Sequence, residues 1–188
     1  MRKTWLIFLL ASGLCLPAVG QAQAQNCNSN TTPSTPDTQF ADNADGTVTD
    51  NQTELMWMRC SLGQTWGGGT CSGTASTFNW QTALIAAESY SFAGFDDWRL
   101  PNVRELASIV EDSCFSPSIN ATIFPVTPIA WFWSSTPHKG SGLGFDVFAW
   151  LVKFGNRTDM AGDLDLRIAF THQKDDSGTY VRLVRSGQ

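Results

Sequence analysis

The cysteines constrain the fold of this chain more than any other feature of its sequence. Five occur in the 188 residues, and Cys15 lies in an apolar run near the N-terminus. The other four are Cys27, Cys60, Cys71 and Cys114. An even set of cysteines in an exported protein predicts two disulfides, for which three connectivities exist. The four contain no close pair of the kind that zinc sites use, so the spacing argues against a zinc site.

Among the three connectivities we predict Cys60–Cys71 and Cys27–Cys114. The first pair brackets a glycine-rich segment that includes Gly67-Gly68-Gly69, and such a segment needs closure to become ordered. The second pair would tie the N-terminal segment to the body of the domain.

The first 24 residues have the organisation of a secretory signal peptide. Arg2 and Lys3 are basic, residues 6–16 form an apolar run, and Pro17 ends that run. The run is too short to span a membrane, and Ala22-Gln23-Ala24 supplies the small residues that a signal peptidase requires. We therefore expect an exported protein that is periplasmic, held at the cell surface or extracellular.

We place signal cleavage after Ala24, with Gly20 and Ala22 as alternatives, and expect no transmembrane segment in the mature chain. A lipoprotein anchor at Cys15 is the competing interpretation. Leu14 argues against it, because a small residue is expected immediately before an acylated cysteine.

The charge of the chain excludes some classes of partner. The formal net charge is −5, and removing residues 1–24 takes away two basic residues and no acid, which gives −7. This acidic balance argues against nucleic-acid binding. With 42% hydrophobic and 12% aromatic residues, the chain is not of the disordered class, and its length predicts one globular domain.

The pattern of residues predicts an α+β domain with two helices. Residues 25–39 are polar and are expected to form a flexible N-terminal arm, and the domain proper spans residues 40–188. Within it we predict a hairpin over Phe40–Arg59 and a helix over Trp80–Ser89 with Asn79 as its N-cap. A second helix is predicted to begin with the capping pair Asn102 and Glu105 and to continue through Val110. Strands are expected over Ile129–Ser134, Phe145–Phe154, Leu166–Thr171 and Tyr180–Arg185. The second of these is apolar on nearly all of both faces, so we expect it to be central in its sheet, and in the last the alternation of apolar and polar residues is imperfect.

We assign no catalytic residue. His138 and His172 lie in polar, turn-like segments, and no nucleophile motif accompanies them. A pair of carboxylates acting on a polymer is the enzymatic alternative. Its candidate acids are numerous: Asp96, Asp97, Glu105, Glu111, Asp112, Asp159, Asp163 and Asp165.

No cofactor is implied with certainty, although calcium is a candidate. Asp159, Asp163 and Asp165 lie close together in a glycine-containing loop, and calcium prefers such carboxylate oxygens. A solvated loop is the simpler interpretation of these three residues.

Two residues are candidates for ligand binding. Trp66 lies between Cys60 and Cys71, where its indole is the one most expected to be exposed and to stack on a sugar ring. The tryptophans expected to form the core are Trp57, Trp80, Trp98, Trp131 and Trp133. Arg99 stands between Trp98 and Leu100, so its guanidinium either binds an anion or pairs with a nearby carboxylate, for which Asp96, Asp97 and Glu105 are the candidates.

The order of several short motifs resembles the Lcl C-terminal domain family. The motifs, within about Phe40 to Arg185, are Gly46-Thr47-Val48-Thr49-Asp50, Leu55-Met56-Trp57, Trp80 with Ala83, Asp97-Trp98-Arg99-Leu100-Pro101-Asn102, Glu105-Leu106, Trp133-Ser134-Ser135-Thr136 and Val181-Arg182-Leu183-Val184-Arg185. The resemblance implies a C-type-lectin-like fold on a secreted or surface bacterial protein, and it supplies no catalytic residue.

Two departures from the family pattern matter. Thr53-Glu54-Leu55 replaces the usual Thr-Gly-Leu, and no collagen-like Gly-x-y region is present. The Legionella adhesin after which the family is named is associated with sulfated polysaccharides, but a net charge of −7 is unfavourable for a polyanion. We therefore expect an interaction module that binds a glycan or a surface protein, with an envelope-polymer enzyme or a purely structural domain as alternatives.

Overall fold

The computed structural model describes residues 25–139, 147–155 and 170–187. Thirteen short strands and two α-helices lie in these ranges. The strands are β1 (Asn26–Cys27), β2 (Phe40–Asp42), β3 (Thr47–Asp50), β4 (Leu55–Met58), β5 (Thr65–Gly67), β6 (Thr70–Ser72), β7 (Thr77–Phe78), β8 (Cys114–Phe115), β9 (Trp131–Pro137), β10 (Phe148–Lys153), β11 (Phe170–Gln173), β12 (Thr179–Tyr180) and β13 (Val184–Ser186). The helices are α1 (Trp80–Glu88) and α2 (Val103–Ala107), and a 3-10 turn spans Asp37–Gln39.

A five-stranded sheet forms the centre, in the order β11-β10-β9-β12-β7. Its pairs are antiparallel except for β12 with β9. In β10, Leu151 belongs to a core cluster with Ala83 of α1, whereas the next residue, Val152, belongs to a second cluster with Leu106 of α2. Because successive side chains of a strand point to opposite faces, both faces of β10 are covered, as its continuous apolar pattern predicted.

A second sheet, in the order β13-β4-β3-β2, contains the predicted hairpin. Trp57 pairs in register with Val48 on one side and with Val184 on the other, and all three are fully buried in one core cluster. The opposite face of this sheet carries Met56 paired with Arg185. That face supports the candidate functional site.

Both helices begin where the sequence places them, because an asparagine caps each, but α2 ends at Ala107, before the predicted Val110. The Asn79 side chain accepts a hydrogen bond from the Thr82 amide at the start of α1. At α2, Asn102 and Glu105 form a complete capping box. Such caps satisfy amides that the first turn of a helix leaves without a partner.

The predicted disulfides are both confirmed. Cys27–Cys114 joins β1 to β8, which pair antiparallel with these two residues opposite each other. Cys60–Cys71 closes the glycine-rich segment, which forms the β5–β6 hairpin. The fold is therefore α+β, with two helices and mainly antiparallel sheets in the described part, and with the two expected bridges.

The segment expected to be a flexible arm packs against the domain. Beyond the Cys27 bridge, the amides of Ser34 and Thr35 donate to the Glu111 carboxylate at 3.0 and 2.8 Å, and Asn120 donates to the Thr35 carbonyl. Polar composition alone favoured a loose segment. In the structure, however, the buried Glu111 carboxylate accepts the hydrogen bonds that these backbone amides would otherwise make to water.

The last predicted strand is divided in the structure. Tyr180 pairs in the five-stranded sheet and Val184 in the four-stranded sheet, so the chain crosses between sheets at residues 181–183. Arg182 lies fully buried at the crossing and donates to the carbonyls of Met58 and Arg59 and to the Thr127 hydroxyl. Burial lowers the pKa of Arg182 to about 9. Because the segment pairs with two different sheets, its apolar and polar side chains do not alternate regularly.

Three other predictions concern the ends of strands and the N-terminus. Strand β9 begins at Trp131 rather than Ile129 and extends to Pro137. Residues 145–146 and most of the strand predicted over Leu166–Thr171 lie outside the described residues, as does the predicted signal peptide. Among the described helices, none is long and apolar enough to cross a membrane.

Candidate functional site

Trp66 lies on the β5–β6 hairpin, which the Cys60–Cys71 bridge closes. Its indole is half-buried rather than fully exposed. The Arg59 guanidinium carbon lies 4.2 Å from the ring centroid, in a cation–π contact. One face of the ring is thus packed against the protein, which fixes its orientation.

A glycine makes room for this ring. Gly46 has φ +93°, and a Cβ built there would lie 2.7 Å from Trp66 and 2.9 Å from Phe92. Both the backbone conformation and the close approach exclude a larger residue. Gly46 therefore brings Trp66 and Phe92 together, although they are distant in sequence.

A third aromatic residue, Phe95, lies next to Phe92 through the backbone. Phe92 and Phe95 form an isolated β-bridge, and the Arg185 guanidinium carbon lies 3.8 Å from the Phe95 ring centroid. Phe92 and Phe95 are half-buried, like Trp66. We call Trp66, Phe92 and Phe95 the aromatic band.

Each end of the aromatic band carries a carboxylate held by a buried arginine. Arg59 donates to Asp42 at 2.8 Å, and Arg185 donates to Asp97 at 2.6 Å. Both arginine side chains are 8% exposed, whereas Asp42 and Asp97 are 57% and 55% exposed. The guanidinium groups face inward and hold the carboxylates toward solvent.

One of these ion pairs also fixes the protonation state of the carboxylate at its end of the aromatic band. The hydrogen bond from Arg185 lowers the pKa of Asp97, so this side chain is ionised at neutral pH. A carboxylate accepts about four hydrogen bonds and donates none. The ends of the band are therefore acceptors for hydroxyl or amine groups.

Arg99 serves the start of α2 in this structure. Its guanidinium makes two hydrogen bonds of 2.8 Å to the two oxygens of Glu105, and that carboxylate also accepts from the Asn102 amide. The bonds with Glu105 raise the pKa of Arg99. Burial opposes them at Glu105, yet the bonds from Arg99 and Asn102 lower the pKa of that residue. The carboxylate alternative for Arg99 is the one that the geometry shows.

Three of the acids suggested for catalysis, Asp97, Glu105 and Glu111, have lowered pKa values. Burial would raise the pKa of Glu111, but donors from Ser113, Thr35 and Ser34 outweigh it and lower the pKa to about 2. Glu105 and Asp97 are paired with arginines, as described above. A general acid needs a raised pKa, so these three carboxyls are suited to structure rather than to proton donation.

The predicted calcium residues Asp159, Asp163 and Asp165 lie outside the described residues. Within the described ranges, no group of three or more His, Cys, Asp and Glu side chains is arranged to hold a metal ion. The calcium site stays a prediction.

The tryptophans divide into two groups. Trp57, Trp98 and Trp133 are buried, as expected for core residues. Trp80 and Trp131 were expected in the core as well, but they are half-buried and only border it.

Sequence reasoning missed the pairing of Asp42 with Arg59 and of Asp97 with Arg185. The motif Gly46-Thr47 was visible, but no pattern indicated that its glycine lies under Trp66. The signal available was that Asp97, Trp98 and Arg185 all belong to motifs of the family.

Of the comparisons with known proteins, the one with protein families gives a match. No curated protein and no solved structure matches the chain significantly, so the likeness to C-type lectins stays a prediction. The family model described as the Lcl C-terminal domain matches residues 46–185, a range that includes Gly46, the aromatic band and Arg185. The chain belongs to the Lcl C-terminal domain family.

Proposed function

We propose that this protein is an extracytoplasmic interaction module that binds a neutral glycan along the aromatic band. The family is one of adhesin-associated domains, and the two disulfides are typical of an extracytoplasmic protein. In this proposal residues 1–24 direct export, and the glycan belongs to a surface that the protein meets after export.

One observation carries the proposal. The aromatic band consists of three half-buried rings, and a solvent-facing carboxylate of fixed position lies at each of its two ends. Sugars present an apolar face of C–H groups and a rim of hydroxyl groups. Aromatic rings bury the first, and carboxylates accept hydrogen bonds from the second. Because Arg59 and Arg185 already hold Asp42 and Asp97, little conformational entropy is lost on binding.

Charge decides the class of glycan. The two carboxylates are part of a chain with a net charge of −5, which becomes −7 without residues 1–24. A sulfated or otherwise polyanionic chain would be repelled. The proposed ligand is therefore a neutral or amino-bearing glycan.

The test is a glycan array followed by calorimetric titration of the best neutral ligand. We expect Trp66→Ala to weaken binding roughly tenfold, because it removes the stacking surface. Asp42→Asn and Asp97→Asn each remove a charged acceptor while preserving shape, so each should weaken binding roughly threefold to tenfold.

A matched control comes from α1. Glu88→Gln changes an exposed carboxylate to an amide outside the aromatic band, and it should leave affinity unchanged. Melting curves of each variant separate lost binding from lost folding. The proposal fails if no neutral glycan binds, or if Glu88→Gln and Asp97→Asn have equal effects. Repeating the titration with a chelator tests whether calcium at Asp159, Asp163 and Asp165 contributes.

A further inference from the structure

The residue that follows the predicted signal peptide is bound to the domain through its side chain. Gln25 Nε2 donates to the Pro117 carbonyl at 3.0 Å and also to the Ile119 carbonyl, and Gln25 Oε1 accepts from the Ala121 amide at 3.4 Å. These partners lie more than 90 positions further along the chain. We call the three hydrogen bonds the Gln25 anchor.

The residues after Gln25 keep it close to these partners. Asn26 pairs with Phe115 in the β1–β8 ladder, and the disulfide joins Cys27 to Cys114. Gln25, Cys27 and Cys114 also line one hollow of about 430 Å³. Because a covalent bridge lies only two residues away, the Gln25 side chain stays near its backbone partners even when a single hydrogen bond opens.

A glutamine follows each of the three predicted positions of signal cleavage. The segment reads Gly20-Gln21-Ala22-Gln23-Ala24-Gln25, so cleavage after the glycine or after either alanine leaves glutamine at the new N-terminus. Of these three glutamines, Gln25 is the one for which the structure describes an anchor.

An N-terminal glutamine can cyclise without any further reactant. Its α-amine attacks its own side-chain carbonyl carbon Cδ, the Cδ–Nε2 bond breaks, and one amine proton goes to the leaving group, which departs as ammonia. The residue becomes a five-membered lactam, pyroglutamate, and the positive charge of the N-terminus is lost.

Cyclisation and the Gln25 anchor exclude each other. Ring closure turns Nε2 into ammonia, so both of its hydrogen bonds to the domain are lost with it. A side chain that is held at three points also lacks the freedom to fold onto its own nitrogen. The anchored residue therefore reacts only after the N-terminal segment has opened locally.

We propose that Gln25 is the N-terminal residue of the exported chain and a site of pyroglutamate formation that the folded domain controls. A chain whose Cys27–Cys114 bridge holds β1 against β8 keeps Gln25 as glutamine. A chain without this bridge forms pyroglutamate and loses the anchor permanently. The inference rests on the export proposed for residues 1–24, and it does not depend on the glycan.

The measurement is intact-mass spectrometry of the protein after export with its own first 24 residues. Cyclisation lowers the mass by about 17 Da, the mass of ammonia. The protein and a synthetic peptide of residues 25–34 that carries Cys27→Ser are incubated at about pH 8, where much of an α-amine is neutral and nucleophilic. We expect the peptide to cyclise at least about tenfold faster, because in the protein the hydrogen bonds of the anchor must open first.

Two bridge variants provide a matched comparison. Cys27→Ser with Cys114→Ser frees the strand that follows Gln25, so it should raise the rate of cyclisation severalfold, toward that of the peptide. Cys60→Ser with Cys71→Ser removes the bridge that does not involve β1 or β8, and it should leave the rate unchanged. Near-UV circular dichroism during the incubation shows whether each variant is folded. If a variant does not fold, the comparison of the unaltered protein with the peptide still decides.

The masses separate failure of this inference from failure of the export proposal. Equal rates for the folded protein and the peptide would overturn the inference, as would isolation of the bridged protein already in its cyclised form. A mature chain that begins at Gln21 or Gln23 would also overturn it while leaving export intact. An uncleaved chain would contradict export itself, and with it the assignment of Gln25 as the N-terminal residue.

Discussion

At the scale of single residues, Glu111 is the most unusual, because it is a buried carboxylate. It is 2% exposed, yet it is ionised, because the amides and hydroxyls of Ser34, Thr35 and Ser113 donate to its two oxygens. These donors lower its pKa to about 2. A buried carboxylate is tolerated only when hydrogen bonds replace the lost water. Glu111 therefore connects the N-terminal segment to the domain by charge-assisted bonds.

Replacing Glu111 by glutamine should destabilise the protein near pH 7. The new amide nitrogen would face donors rather than acceptors, so we expect a loss on the order of 2 to 3 kcal/mol in the free energy of unfolding. Urea denaturation followed by tryptophan fluorescence measures this quantity.

The same variant should also change the dependence on pH. The folded pKa lies below the reference value of 4.5, so stabilisation by Glu111 is complete above about pH 4.5 and is lost as the pH falls toward 2. Glu111→Gln should remove that component of acid destabilisation. Parallel stability curves for the two proteins between pH 4.5 and 2 would contradict this explanation.

At the scale of elements, the short helix α2 depends on its first turn. It has five residues, too few for a stable isolated helix. The Asn102 side chain accepts from the Arg104 and Glu105 amides, and Glu105 bonds back to the Asn102 amide. Arg99 adds two bonds to the same carboxylate. A residue predicted as a possible ligand contact thus completes a helix cap.

Two substitutions distinguish the cap from the ion pair. Asn102→Ala should lower the free energy of unfolding by about 1 kcal/mol, which is typical of a lost N-cap. Arg99→Met should cost less, below about 1 kcal/mol, because its side chain is 43% exposed and such pairs are weak. Urea denaturation gives both values.

Binding measurements complete the comparison of these variants. If Arg99 only supports α2, Arg99→Met should retain the affinity of the protein for its best glycan. A loss of affinity in folded Arg99→Met would instead support the ligand role predicted from the sequence.

At the scale of the whole molecule, the two disulfides close loops of very different length. Cys27–Cys114 joins residues 87 positions apart, whereas Cys60–Cys71 joins residues 11 positions apart. The longer loop includes both helices and the hairpin that belongs to the four-stranded sheet. In the chain-entropy description, a bridge stabilises by restricting the unfolded chain, and a longer loop loses more freedom.

Removal of the long-range bridge should therefore cost more. We expect roughly 4 to 5 kcal/mol for the double variant Cys27→Ser with Cys114→Ser, and roughly 3 kcal/mol for Cys60→Ser with Cys71→Ser. Equilibrium unfolding in urea compares the two. Equal losses, or a larger loss for the short loop, would contradict the entropic account.

The sequence by itself determined the elements whose causes are local. The caps at Asn79 and Asn102, the hairpin around β3 and β4, and the apolar run of β10 each depend on neighbouring residues, so their patterns were readable. The two disulfides followed from an even cysteine count and from the need to close a glycine-rich loop. The family followed from short motifs in a fixed order.

Only the tertiary structure decided which distant residues meet. Arg59, Gly46 and Phe92 surround Trp66, and Arg182 is buried where the chain crosses between two sheets. No sequence period records such contacts, because they depend on how the sheets and loops pack. The same physical reason places the polar N-terminal segment on the domain: its backbone found a buried carboxylate that is more than 70 residues away in the chain.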